Sequence, residues 1–445
     1  MDTRRSGDHL RSVGEVKRRV AILELARQRE PALLVAGQTV SGFGDGVALV
    51  ALTLLVLDTT HDSVTKLAWF ATARMIPLVV FILFGGAIVD RFSRRLLLLI
   101  SDAGRAMLTA GLVALVASGA LRYWELLVFS VLFGVFDALF MPAIAAITPE
   151  IVSEELLPAM NAVRPLANNL VGNMIGPAVG GILAAISTSL SLSVDGATFL
   201  VSATALTLMH PTPKPTRTEG TSMLSEIRIG LHYVRTTRWI WTTLLAVSFL
   251  NAAVFVPTSV LLPYFFRHTL HVSKTELGFA FAVQAFAGVI GALIAGNRKT
   301  PRRRVRVTWI YWSIGSLAAL VMGFATNYWE VLIFPVIAWP MMILGNVIWE
   351  TMMQSEVPRE LLGRVSSVDW FLSLGLSPLG LMVSGILAGV FSVRSYFVVV
   401  GAVGALLGVG IISSRKINEI DRDRVKGTEV AAPEPAAVPP VENLS

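Results

Sequence analysis

Apolar residues run along this chain in blocks of about 20, the length an α-helix needs to cross a ~30 Å hydrocarbon layer. The blocks predict spans over 31–57, 64–89, 96–118, 124–147, 163–186, 190–210, 239–264, 275–297, 306–326, 329–353, 363–389 and 394–413, twelve in all. Polar stretches longer than a turn remain at residues 1–30, 211–238 and 414–445. Within the first, residues 16–26 (VKRRVAILELA) predict a basic amphipathic helix on the membrane surface. In the second, Leu224, Ile227, Leu231 and Val234 recur at helical spacing, with Arg228, Arg235 and Arg238 on the rest of the helix. This predicts an interfacial helix between two halves. The third is charged and then rich in Pro and Ala, a composition that predicts disorder.

The blocks also repeat. YWELLVF begins at Tyr123 and YWEVLIF at Tyr328, an offset of 205. At that offset ELLPAMNAV (155–163) meets ELLGRVSSV (360–368), and one residue off it GILA recurs at 181–184 and 385–388. The fold class read from this is an all-α membrane protein with two pseudo-symmetric six-helix bundles, 31–210 and 239–413, joined by the 211–238 linker. Many secondary transporters are repeated halves with the transport site between them.

Composition supports a bilayer setting. Of 445 residues, 54% are hydrophobic and 15% charged, against about 25% charged in ordinary soluble domains. There is no cysteine, which excludes disulfides, thiolate metal sites and a cysteine nucleophile. No removable signal peptide is expected; the first span serves as its own insertion signal. With the N-terminus inside, inner segments ahead of the last span hold 25 Lys and Arg and outer loops five. That bias predicts both termini in the cytoplasm. The C-terminal Asn443-Leu444-Ser445 then matches a glycosylation sequon only by chance.

Charges inside spans are costly, at least ~2.5–3.5 kcal/mol near the bilayer centre, and those retained are usually functional. Asp45 in span one and Asp137 in span four lie ~18 Å deep, and Arg74 in span two ~15 Å. Asn251 in span seven falls at the same level. Three readings of the charged trio stay open: proton coupling through Asp45 or Asp137 beside Arg74, a static Asp–Arg pair, or recognition of substrate charge. Asp102 and Arg105, three apart, read as a structural pair. Glu350 and Asp369 read as gate contacts or as charges reaching toward the inner surface. Phe133, Phe136 and Phe140 form a helical stripe that reads as packing.

GGAIVDRFSRR, after the second span, resembles the G-x-x-x-D-R-x-G-R-R loop of the major facilitator superfamily, with Gly86, Asp90, Arg91, Arg94 and Arg95 in place and Ser93 for the middle glycine. The resemblance implies a gating loop whose aspartate faces the N-terminal end of span eleven, here Gly363 to Ser366. The matching loop of the second half, NRKTPRRRVR, keeps the charge without the pattern. GNMIGPAVGG resembles the span-five motif of the family's exporters, with Gly172, Gly176, Pro177, Gly180 and Gly181. Glycines four apart share a face and admit a neighbouring helix, and packing alone is the competing reading of the motif. SGFGDGVA, PAIAAITPEIV and VDGATFLVSA extend the resemblance, over residues 30–413, to the drug and siderophore exporter branch (macrolide-efflux and enterobactin-exporter-like). The span-four arginine of many drug/proton antiporters is missing, and Asp137 lies in that region. The resemblance also implies that spans one, four, seven and ten line a cavity. The cavity candidates are then Asp45, Asp137, Asn251, Trp339 and Asn346, with Trp349 nearby.

Enzyme readings find little footing. His268 and His271 lack a third metal ligand, GFGDG lies mid-membrane with no strand before it, and no P-loop lysine motif is present. No metal, cofactor or nucleic-acid partner is expected, and the proton gradient is the energy source. The expectation is a monomeric transporter of a bacterial cytoplasmic membrane, exporting a medium-sized amphiphile (a drug, macrolide or siderophore) by proton antiport and alternating access. The alternatives are an uptake symporter on the same fold and a non-transporting membrane sensor.

Overall fold

A computed structural model describes residues 24–89, 92–153, 155–210, 223–298, 301–414 and 421. Every regular element among them is a helix. The first six spans are α1 (Arg29–Thr59), α2 (Val64–Val89), α3 (Arg94–Ser118), α4 (Tyr123–Ile151), a fifth built of α5 (Leu157–Ala167), a π-helical stretch (Asn168–Ile175) and α6 (Gly176–Ile186), and α7 (Thr188–Leu208). After α8 (Met223–Thr236), the seventh span runs through α9 (Arg238–Leu250), a π-helical turn (Asn251–Phe255), α10 (Val256–Tyr264) and a second π-helical turn (Phe265–Thr269). The rest are α11 (Lys274–Asn297), α12 (Arg304–Met322), α13 (Tyr328–Glu356), α14 (Arg359–Gly375), α15 (Ser377–Phe391) and α16 (Val393–Ser413). Among the described residues twelve stretches are long and apolar enough to cross a membrane, the number the apolar blocks predict.

The helices outrun the apolar blocks at several ends. α4 and α13 have 29 residues each, about 44 Å at 1.5 Å per residue, so both continue past the hydrocarbon, where a polar helix needs no apolar block. Their offset of 205 is the sequence repeat, and both start alike. The Glu125 carboxylate accepts the Arg122 N–H at 2.7 Å, and the Glu330 carboxylate accepts the Thr326 N–H at 2.6 Å. Span eleven, predicted as one run, is interrupted at Leu376, with Pro378 in the first turn of α15; proline removes a helical donor and crowds the preceding turn. Ser93, the departure from the family loop, caps α3: its hydroxyl accepts the Leu96 N–H at 3.3 Å.

The chain forms two compact units. The first comprises Met1–Gly220 with Val260–Phe286, and the second Thr221–Ser259 with Ala287–Ser445. Among its described residues the first has an apolar core around Phe129, Phe133, Leu126 and Phe199 and another around Leu97, Leu98, Ile147 and Met160. In the second unit, the predicted linker helix α8 lies on α14. A Cβ at Gly230 would stand 2.7 Å from the Arg364 carbonyl oxygen, and Val234 is fully buried. The predicted surface helix over 16–26 lies outside the described residues except for Glu24 to Ala26, which are helical. Most of the C-terminal tail also lies outside them. Asp421 is described and is buried, its carboxylate accepting the Val305 and Arg306 N–H groups at 3.3 and 3.0 Å, at the start of α12.

Candidate transport site

The site in the first unit begins with spacing on α1. Gly42, Gly44 and Gly46 flank Asp45, and the missing side chains let two helices reach the α1 backbone. Span five approaches on one side: Cβ atoms at Gly172, Gly176 and Gly180 would stand 2.9 Å from the Gly42 carbonyl oxygen, 2.8 Å from that of Phe43 and 2.5 Å from that of Val47. This i, i+4 face is what makes the span-five motif a contact surface. Gly181 faces α11 instead, where its Cβ would meet the Lys274 carbonyl oxygen at 2.7 Å, and Pro177 presents its carbonyl to Gly278. Span six approaches the other side of α1 at Gly44, against Thr198 and Asp195.

Packing of α2 on α4 places the charges. A Cβ at Gly134 would strike the Arg74 carbonyl oxygen, so the two backbones touch one turn from Asp137. Arg74 donates to Asp137 Oδ2 from Nε at 2.8 Å and from Nη2 at 2.7 Å. Its guanidinium lies 4.5 Å from the centre of the Phe133 ring. Arg105 on α3 joins the rest. It pairs with Asp102 one turn back, and its Nη1 lies 3.7 Å from Asp137 Oδ1 and 4.0 Å from Asp45 Oδ2. Phe140 and Phe199 sit under its guanidinium at 4.6 and 4.5 Å.

The predicted trio therefore meets, but unevenly. Arg74 and Asp137 are in direct contact, whereas Asp45 reaches them through Arg105. Exposure separates the acids: Asp102 is 0%, Asp137 19% and Asp45 41% accessible at the side chain. The Asp102–Arg105 pair is present, and Arg105 is also the hub of the cluster, a role that spacing along one helix did not reveal. Asp195 on α7 was missed altogether. It is 1% exposed and stood in VDGATFLVSA, where the test applied to Asp45, a charge inside an apolar block, finds it. Among the phenylalanines, Phe133 and Phe140 underlie guanidiniums, and Phe136 fills the space over Gly104.

Arginines on the predicted inner side hold this unit together. Arg94 bridges to Glu150 at 2.7 Å. Arg95 donates to the Leu206 and Thr207 carbonyls at 2.6 Å each, satisfying the C-terminal end of α7. Arg164 donates to the Ile144 carbonyl at 3.0 Å. Gly86 lies in α2, while Asp90 and Arg91, and with them the predicted contact to span eleven, lie outside the described residues. At the opposite end Arg267 bridges Asp58 at 2.7 Å and Asp62 at 3.0 Å. His268 stacks on Tyr264, and no group of metal-ligating side chains occurs among the described residues.

The remaining cavity candidates lie in the second unit, each engaged with a neighbour. Asn251 donates to the Ser373 carbonyl at 2.9 Å. Asn346 accepts the Trp312 indole N–H at 3.1 Å. Trp339 packs on Gly288, where a Cβ would meet its ring at 3.0 Å. Asp369 accepts from the Trp349 indole at 3.2 Å and the Ser373 hydroxyl at 3.3 Å. Trp349 in turn packs edge-to-face on Trp239 and tilted on Trp312.

Known proteins share this plan. The chain is 29% identical over 408 residues to the multidrug efflux pump Tap of Mycolicibacterium fortuitum, covering 88% of this chain and 98% of that one. It is 21% identical over 395 residues to macrolide efflux protein A of Streptococcus pyogenes, covering 87% and 96%. Its fold is similar to the nucleoside transporter NupG (TM-score 0.64, 12% identity, 85% of this chain and 98% of that one). It is also similar to a bacterial homolog of the human lysosomal transporter Spinster (TM-score 0.65, 14% identity, 92% and 98%). With the Major Facilitator Superfamily profile matching residues 34–375, on top of twelve spans and a repeated half, the chain belongs to the major facilitator superfamily.

Proposed function

We propose that this transporter exports a medium-sized amphiphile of the drug or macrolide kind from the bacterial cytoplasm, exchanging it for protons by alternating access. The observation that carries the proton reading is Asp45. The cluster's two guanidiniums are engaged by Asp137 and Asp102, which leaves Asp45, among the described residues, with a 4.0 Å approach to Arg105 and a side chain 41% accessible. A carboxylate that is partly exposed, loosely paired and set among other charges changes protonation when the cavity around it opens or closes. The export direction is supported by the names of the relatives and by the span-five motif. The protein works as a monomer with both termini in the cytoplasm.

The test is efflux from energised cells with a panel of fluorescent drugs, a macrolide and a siderophore. Wild type moves at least one drug or macrolide, and both a protonophore and Asp45→Asn abolish the movement. Efflux indifferent to the protonophore removes the antiport reading. Accumulation in place of efflux makes the chain an uptake symporter.

A further inference from the structure

The charge cluster of the first unit holds more acid than base. Its carboxylates are Asp45, Asp102, Asp137 and Asp195, and its guanidiniums are Arg74 and Arg105. Arg74 is taken by Asp137 and Arg105 by Asp102, so Asp45 and Asp195 are the surplus. The Asp45 side chain is partly exposed; Asp195 is sealed.

Three observations describe the sealed position. Asp195 is 1% exposed, and its Oδ1 accepts no hydrogen bond among the described residues. The adjacent Thr198 hydroxyl is spent on the Asp195 backbone carbonyl at 2.7 Å. Finally, Oδ1 lies against the bare face of Gly44, where a Cβ would stand 2.9 Å away, next in the chain to Asp45. The charged groups that act on Asp195 are Asp45 on α1, Arg74 on α2, Arg105 on α3 and Asp137 on α4. α6, which also packs on α7, has no charged residue. An ionised carboxylate in such a place would be desolvated, short of a hydrogen bond and in a cluster already acidic. A carboxylic acid avoids the first and last of these costs.

We propose that Asp195 is a second proton-holding residue beside the Asp45 segment of α1, protonated in the arrangement described here. The role of that proton in transport rests on the antiport reading above; the protonation of Asp195 does not.

The test is infrared spectroscopy of the full-length protein in liposomes at neutral pH, comparing wild type, Asp195→Asn and Asp195→Glu. Wild type shows the carbonyl stretch of a protonated carboxylic acid that Asp195→Asn loses and Asp195→Glu keeps at a shifted frequency. The Glu variant keeps the test decisive where the Asn variant fails to fold. Identical spectra in this region for wild type and either variant overturn the proposal. The result is read without any substrate, so drug efflux that ignores the proton gradient would end the antiport reading and leave the protonation of Asp195 to be decided on its own.

Discussion

Arg105 shows what one side chain does when it is the shared partner of several acids. It is 4% exposed, pairs with the fully buried Asp102, stands within 4.0 Å of Asp45 and Asp137, and covers two phenylalanine rings. Removing one member of a buried pair strands the other, at a cost of about 3–5 kcal/mol. Arg105→Ala is therefore expected to lower the melting temperature of the purified protein sharply or to prevent its accumulation in the membrane. Arg105→Lys, which keeps the charge and loses the planar fork, is expected to fall between. An alanine variant that melts with wild type would show that the cluster is not held by this residue. Asp45→Asn, by contrast, is expected to melt within about 1 kcal/mol of wild type, because its pairing is long and exposed, while losing proton-driven efflux. Depth within an apolar block made Asp45, Arg74 and Asp137 legible from sequence. It gave no sign that Arg105 turns toward them, because helical spacing ties Arg105 only to Asp102; its other partners come from α1 and α4, whose rotation about their own axes the sequence leaves open.

At the scale of helices, glycine positions decide who touches whom. The span-five motif is legible as a contact face because its glycines recur every four residues, but its partner is not. Only the structure shows α1 on one side and α11, through Gly181 and Gly278, on the other. Gly46→Ala is expected to destabilise by about 1–3 kcal/mol, as overpacking does, since its Cβ would strike the Gly172 carbonyl oxygen. Gly111→Ala on α3, which meets nothing within 4 Å, is expected to melt as wild type does. Thermal melting of the two variants side by side decides this, and equal losses would refute the close-contact account. The break in span eleven at Leu376 escaped the apolar pattern because Pro378 interrupts hydrogen bonding without interrupting hydrophobicity.

For the whole molecule, twelve spans were legible because each is a separate apolar block and the basic residues alternate in step. The unit boundary was not, since Val260–Phe286 joins the first unit through packing that no linker signals. The bias of Lys and Arg gives a topological prediction that the cysteine-free sequence makes easy to check. A lone cysteine at Ser392, between α15 and α16, is expected to react with a membrane-impermeant maleimide added to intact cells. One at Ser93, before α3, is expected to react only after the membrane is opened. Labelling of Ser93→Cys in intact cells would invert the orientation and with it the proposed direction of export.

The π-helical stretch Asn168–Ile175 bears on how this gene tolerates small deletions. Losing one codon within a transmembrane α-helix rotates everything beyond it by about 100°, which in α1 would carry Asp45 and Gly46 off their faces. A π turn already holds one residue more than an α turn. One codon lost between Asn173 and Ile175, past Gly172, is therefore expected to tighten a wide turn to a normal one and to leave the glycine face of α6 still meeting α1. Span five is thus one place where this sequence can shed a residue and keep its helix contacts.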